Sequence, residues 1–257
     1  MIKNIITIAS GKGGVGKSTV SVNLSIALAK NKFKVGLLDA DIYGPSIPKM
    51  LGITEKPSVS SQKKILPYSN FGIKSISIGN MIPQNSAVIW RGAMATSAIR
   101  QLFNDVDWGD IDFLLIDLPP GTGDIQLSLC QNFKISGSII VSTPQEVSLI
   151  DVRKAINMFK KVNVPILGLI QNMSYLKIEG KKNYIFGKEG VLKEAQKQSY
   201  EFLGDIPIIP EIAKSSDDGK PLSFDSKTEI FKVFKSIAEN TVNSLKKIKI
   251  KDVEILS

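Results

Sequence analysis

The chain has no histidine and a single cysteine, Cys130, among its 257 residues. The first absence removes histidine triads, the common histidine metal sites and the usual general base. The second forbids an intrachain disulfide, and it forbids a zinc or iron–sulfur site built from the thiolates of one chain. Arginine is also scarce: Arg91, Arg100 and Arg153 stand against 30 lysines. Arginine is favoured for phosphate and base readout, so a net charge of +9 carried by lysine argues against nucleic acid as the partner. No apolar stretch reaches the ~18 residues of a membrane-spanning helix. The run Ile5–Ala9 is too short for a signal-peptide core and leads straight into glycines. These absences predict a cytoplasmic protein. They leave carboxylates, lysines, backbone amides or a bound cation to do any chemistry.

What is present is ample for a core: 43% of the residues are apolar and 22% charged. Short Val/Ile/Leu runs predict strands over 4–9, 34–38, 73–78, 112–116, 137–142, 165–170 and 202–206. Helical spacing predicts helices over 17–31, 92–104, 123–133, 147–161, 188–198 and 227–247. Continuous apolar strands alternating with helices predict an α/β fold, with a mostly parallel twisted sheet and helices on both faces. The polar segment 52–72 reads as a surface excursion. One domain is expected over 1–247, with a C-terminal tail over 248–257. Residues 153–197 hold nine Lys and one Arg against three Glu, a net +7. That is the signature of a solvated helical face, or else of a docking patch for an acidic partner.

After the first strand comes Gly11-Lys12-Gly13-Gly14-Val15-Gly16-Lys17-Ser18-Thr19, a full match to G-x-x-x-x-G-K-[ST]. Glycines let backbone N–H groups turn inward around an anion, and the next helix points its positive end there. In a P-loop NTPase fold of this kind, Lys17 would reach the β- and γ-phosphates of ATP and Ser18 would bind Mg²⁺. Gly11, Gly13 and Gly16 also fit G-x-G-x-x-G, with Asp39 placed where a dinucleotide fold keeps its ribose acid. Lys17 and Ser18 have no role in that reading. The strand Phe113–Asp117 also ends in an acid, as a Walker B strand does, and Asp117 would hold the Mg²⁺ shell. Pro119-Pro120-Gly121 follows as a switch loop, with the Gly121 N–H facing a γ-phosphate. In Asp39-Ala40-Asp41, strand alternation puts both acids on one side. Asp39 would help hold Mg²⁺ and Asp41 would activate water, against the plainer reading of two turn or cap acids.

The string Lys12–Thr19 resembles the deviant Walker A motif of the ParA/MinD-type ATPases. The resemblance implies that Lys12 reaches across a dimer interface to the partner's phosphates, so that ATP joins a homodimer and Lys12, Lys17 and Asp41 form the catalytic set. Within that superfamily the chain resembles the Mrp (ApbC-like) iron–sulfur cluster carriers. The segments that carry this are Asp39–Ser46, Val88–Gly92, Trp108-Gly109, Leu118–Leu127, Ser142–Gln145 and Asn172–Tyr175. The resemblance implies that Asn172 reads the adenine, that the Pro207–Glu211 segment, with Pro210 and Glu211, lines the base, and that iron–sulfur apoproteins or assembly proteins are partners. The sequence departs from the family twice. Such proteins carry a C-x-x-C pair soon after N-M-S-Y, whereas this chain reads Leu176–Asn183 with no cysteine. Many bacterial members also have a further domain before the P-loop strand, where this chain begins. Cys130, alone in a helix, reads as a small buried hydrophobe, which opposes direct ligation of an iron–sulfur cluster. The competing reading is a positioning ATPase acting on DNA or a membrane surface. A nucleotide-dependent scaffold and a dinucleotide oxidoreductase fit less of the motif set.

Overall fold

A computed structural model describes residues 1–81 and 92–256. The Val88–Arg91 part of the family resemblance lies outside them, as do the side chains of 249–256. Among the described residues eight strands form the main sheet: β1 (Ile2–Ala9), β2 (Val35–Asp39), β3 (Tyr68–Asn70), β4 (Ile73–Ser77), β5 (Ile111–Asp117), β6 (Gly137–Ser142), β7 (Ile166–Gln171) and β10 (Phe202–Asp205). Their order is β10-β7-β6-β1-β5-β2-β4-β3. Every pairing is parallel except that of β3 with β4. All seven expected strands are present; β3 is an unforeseen edge.

Buried strands explain the layers. Along β1, Ile5 and Ala9 enter one core while Ile6 and Ile8 enter the other, the period of two that strand geometry imposes. The first core is covered by α3 (Gly92–Asp105), α4 (Asp124–Asn132), α5 (Glu146–Lys161) and α6 (Gly190–Lys197). The second is covered by α1 (Lys17–Lys30), the short α2 (Ile47–Met50) and α8 (Glu229–Leu256). Helix α8 overruns the expected end at 247, so the residues expected to form a tail continue the helix to Leu256. The 52–72 excursion is largely exposed and anchored by buried Ile65.

Besides β3 and α2, a further helix and a hairpin escaped the sequence reading. Helix α7 (Pro210–Asp217) opens on Pro210, whose fixed φ suits a first helical turn. Strands β8 (Leu176–Ile178) and β9 (Lys181–Asn183) form a separate hairpin over the cysteine-free stretch that follows Asn172–Tyr175. Its two turn residues, Glu179 and Gly180, have φ of 47° and 79°, the left-handed pair that a two-residue hairpin turn needs. Parallel pairing sends the carboxyl ends of β1, β2, β5, β7 and β10 to one edge of the sheet, where open α/β sheets bind ligands.

Candidate functional site

At that edge β1 runs into the glycine loop and then α1. Gly14 and Gly16 take φ of 79° and 81°, a region open to glycine at no steric cost. Gly16 is needed twice over, because an added Cβ would sit 2.1 Å from Asn172 Nδ2. Val15 is buried, and its carbonyl accepts from Asn172 Nδ2 at 2.8 Å. Asn172, just past β7, therefore pins the loop from the side. Gly13 and Gly14 are exposed, and Gly11 and Lys12 are half-buried. The Gly11 position abuts the Asp151 backbone of α5. No side chain caps the start of α1 and no acid stands in its first turn. Its leading N–H groups thus face the loop as anion donors.

Beneath the loop lies a charged cluster. Asp117, fully buried at the end of β5, accepts from Ser18 Oγ at 2.6 Å and from Ser21 Oγ at 2.6 Å. Lys17 Nζ stands 2.8 Å from the same carboxylate and 3.5 Å from Asp41 Oδ2. Thr19 is half-buried in the first turn of α1. Neither partner would be tolerated alone at this depth, since an unpaired buried charge is costly. Ser18 and Asp117 offer the oxygen donors that a hard cation takes, and Mg²⁺ is commonly held by one or two carboxylates plus phosphates and water. Among the described residues no group of three His, Cys, Asp or Glu side chains forms a metal cage.

The two acids of the second strand part company. Strand β2 ends at Asp39, so strand alternation does not carry on to Asp41, contrary to the sequence expectation. Asp39 is fully buried beside β5, in register with Asp117. It accepts from Ser77 Oγ at 2.9 Å and from the amides of Asp41 and Ile47. Burial and then the nearby Asp117 push its carboxyl up to about 7. Asp41 sits in the turn beyond: Oδ1 accepts from the amides of Tyr43 and Gly44, while Oδ2 faces Lys17. It is thus both a turn acid and a neighbour of the P-loop lysine.

The Pro119-Pro120-Gly121 loop lies against the P-loop. Gly121 N–H donates to Ser10 O at 2.9 Å, and an added Cβ on Gly13 would lie 4.0 Å from the Pro120 ring. Pro210 and Glu211, at the start of α7, are exposed at the same sheet edge, beyond the end of β10. Sequence reasoning missed Ser21, Ser77 and Gln126. The first lies four residues after Lys17, on the same helical stripe, which is the one signal that could have found it. Cys130 is buried in α4, and burial pushes its thiol up to about 12, which marks it as inert.

A glycine loop whose lysine and hydroxyl converge on a buried strand-end acid, at the carboxyl edge of a parallel sheet, defines a P-loop NTPase. The family model described as ParA, NUBPL iron-transfer P-loop NTPase, matches residues 1–242, and the chain belongs to that family. Among its relatives is the Arabidopsis thaliana iron-sulfur protein required for NADH dehydrogenase, mitochondrial, 47% identical over 96% of this chain and 80% of that one. The iron-sulfur cluster carrier protein of Pyrococcus horikoshii is 48% identical over 95% of this chain and 87% of the relative. A solved nucleotide-binding protein from Archaeoglobus fulgidus, in complex with ADP, superposes with a TM-score of 0.79. It is 39% identical, over 91% of this chain and 92% of that one. The septum site-determining protein MinD of Pyrococcus horikoshii, complexed with Mg-ADP, gives a TM-score of 0.71 at 25% identity, over 97% and 99% of the two chains. The protein is thus a member of an iron–sulfur cluster carrier and transfer family built on a P-loop NTPase fold. Among the described residues no helix is long and apolar enough to cross a membrane.

Proposed function

We propose that the protein hydrolyses ATP with Mg²⁺ as an ATP-joined homodimer, and that it serves iron–sulfur cluster assembly or transfer without ligating a cluster through its own cysteines. The observation that carries the first part is the Lys17–Asp117–Ser18 cluster directly below the glycine loop. The loop amides and α1 would hold the phosphates, and Lys17 would turn from Asp117 to the β- and γ-phosphates. Ser18 and Asp117, with Asp39 behind them, would hold Mg²⁺, which supplies charge neutralisation on the phosphate oxygens. Asp41 orients the attacking water. Its oxygen bonds to the γ-phosphorus as the bond to the β–γ bridging oxygen breaks, giving ADP and phosphate. Asn172, with Pro210 and Glu211 at the same edge, would border the adenine. For Asn172 this means exchanging its bond to the Val15 carbonyl, or keeping that bond while its other amide atom meets the base.

The resemblance implies a cysteine pair where this chain has the exposed β8–β9 hairpin, and its one thiol, Cys130, is buried. This favours an adaptor that hands over a cluster held by a partner, with iron–sulfur apoproteins or assembly proteins as its clients. Two measurements test the reading. Asp41→Asn should keep ATP binding and lose turnover by about 100-fold, the scale of a positioned acid or base; turnover near the wild-type rate removes Asp41 from the mechanism. Anaerobic reconstitution of the full chain with iron and sulfide should leave no visible absorbance band and no bound iron. A stoichiometric cluster would overturn the adaptor role.

A further inference from the structure

Prolines have no N–H, so the Pro119-Pro120 segment brings two carbonyls and no backbone donor to a tight, partly buried turn. The donor comes from α4. Gln126, 3% exposed, donates through Nε2 to Pro119 O and to Pro120 O, both at 2.9 Å. The next residue, Gly121, donates its N–H to Ser10 O at 2.9 Å, and Ser10 Oγ in turn donates to Lys12 O at 2.9 Å. One chain of bonds therefore runs from α4 through the proline loop into the P-loop. A Gly121 N–H already given to Ser10 cannot also face a γ-phosphate. The loop must shift to make that contact, and its two fixed φ angles favour movement as a unit. The side chain gripping both of its carbonyls must then break away or bring α4 along.

We propose that Gln126 is the positioning residue that latches the Pro119-Pro120-Gly121 loop where its Gly121 N–H is turned to Ser10, away from any γ-phosphate, and passes the loop's position to α4. The inference rests on the nucleotide reading above and adds its route of transmission. The face that α4 shares with α3, where Phe103 and Phe133 meet at 4.4 Å between centroids, then changes with nucleotide state. That would give the protein a nucleotide-controlled surface away from the phosphates.

Amide hydrogen exchange on the full chain tests this, with Gln126→Met and Gln126→Glu side by side. Both variants keep the approximate volume of glutamine and lose its N–H donors. Without nucleotide, the Gly121 amide should exchange about tenfold faster in either variant, the scale of one or two net hydrogen bonds. With Mg²⁺ and a non-hydrolysable ATP analogue, the wild type should change exchange in both the loop and 124–132, while ADP changes neither. In the variants the loop should respond and α4 should not, with ADP affinity kept. An unchanged Gly121 amide in the variants, or an α4 response equal to wild type, overturns the latch. If the wild type binds neither nucleotide, the nucleotide reading fails, and the nucleotide-free arm still decides whether Gln126 latches the loop.

Discussion

Three carboxylates crowd the sheet edge, and their partners set them apart. Asp117 is matched by an ammonium and two hydroxyls, whereas buried Asp39 receives one hydroxyl and two amides and faces Asp117 across the strand pairing. Folded Asp39 keeps its proton up to about pH 7, while the unfolded group releases it near 3.8. Between those values the folded state binds more protons, so stability falls as pH rises through the window. Metal-free, nucleotide-free protein should therefore lose stability from this group as pH rises through that window. Thermal melting across that range should show the loss, and Asp39→Asn should flatten it; an equal slope in the variant would locate the effect elsewhere. Lys17, Ser18 and Asp117 were legible in sequence because a nine-residue pattern and a strand-end acid fix their roles. Ser21, Ser77 and Gln126 were not. Ser21 and Ser77 bond acids 96 and 38 residues away, and a lone serine or glutamine has many uses that only the fold distinguishes.

Long elements were legible for a related reason. Strands buried on both faces must be apolar throughout, and β1, β5, β6 and β7 announce themselves as Val/Ile/Leu runs. Elements of three or four residues, such as β3, α2 and the β8–β9 hairpin, bury too little to leave a period. Helix α8 outran its expected end because its last turns carry more charge than the apolar stripe before them. The basic 153–197 region shows how composition divides once elements pack. Arg153 of α5 pairs with Glu146 at 2.8 Å and with Glu194 of α6 at 2.8 Å, and the Glu194 side chain is only 3% exposed. That arginine ties two helices together and is no docking residue. Arg153 holds the Glu194 carboxyl below its usual range, so the pair's contribution is present above the unfolded value of 4.5 and is lost as pH falls below it. Arg153→Ala should cost about 1–2 kcal/mol at neutral pH, chiefly by leaving Glu194 buried without its cation. Denaturant titration would show it, and Glu194→Gln in the Arg153→Ala background should recover part of the loss. No recovery would mean that the arginine acts through packing.

At the scale of the molecule, a central β1 flanked by β5 and β6 puts the P-loop at the middle of the sheet edge, with Asp117 on one side and Asn172 on the other. Two such edges facing each other would bring together two copies that each carry +9, and like charge opposes their approach. In the dimer we propose, the triphosphates supply the missing negative charge. Lys12 then differs from Lys17, since it is half-buried on the open side of the loop while Lys17 is committed to Asp117 and Asp41 beneath it. Lys12→Ala should leave ADP affinity within about threefold of wild type, because the loop amides and Lys17 remain. It should weaken dimerisation with Mg²⁺ and a non-hydrolysable ATP analogue by about tenfold or more, the scale of one desolvated interfacial charge contact. Sedimentation velocity with ADP and with the analogue separates the two effects. A Lys12→Ala protein that dimerises as wild type, or a wild type whose oligomeric state ignores the analogue, would detach Lys12 from any partner's phosphates. The lysine would then serve only its own loop, raising the local potential where a phosphate binds.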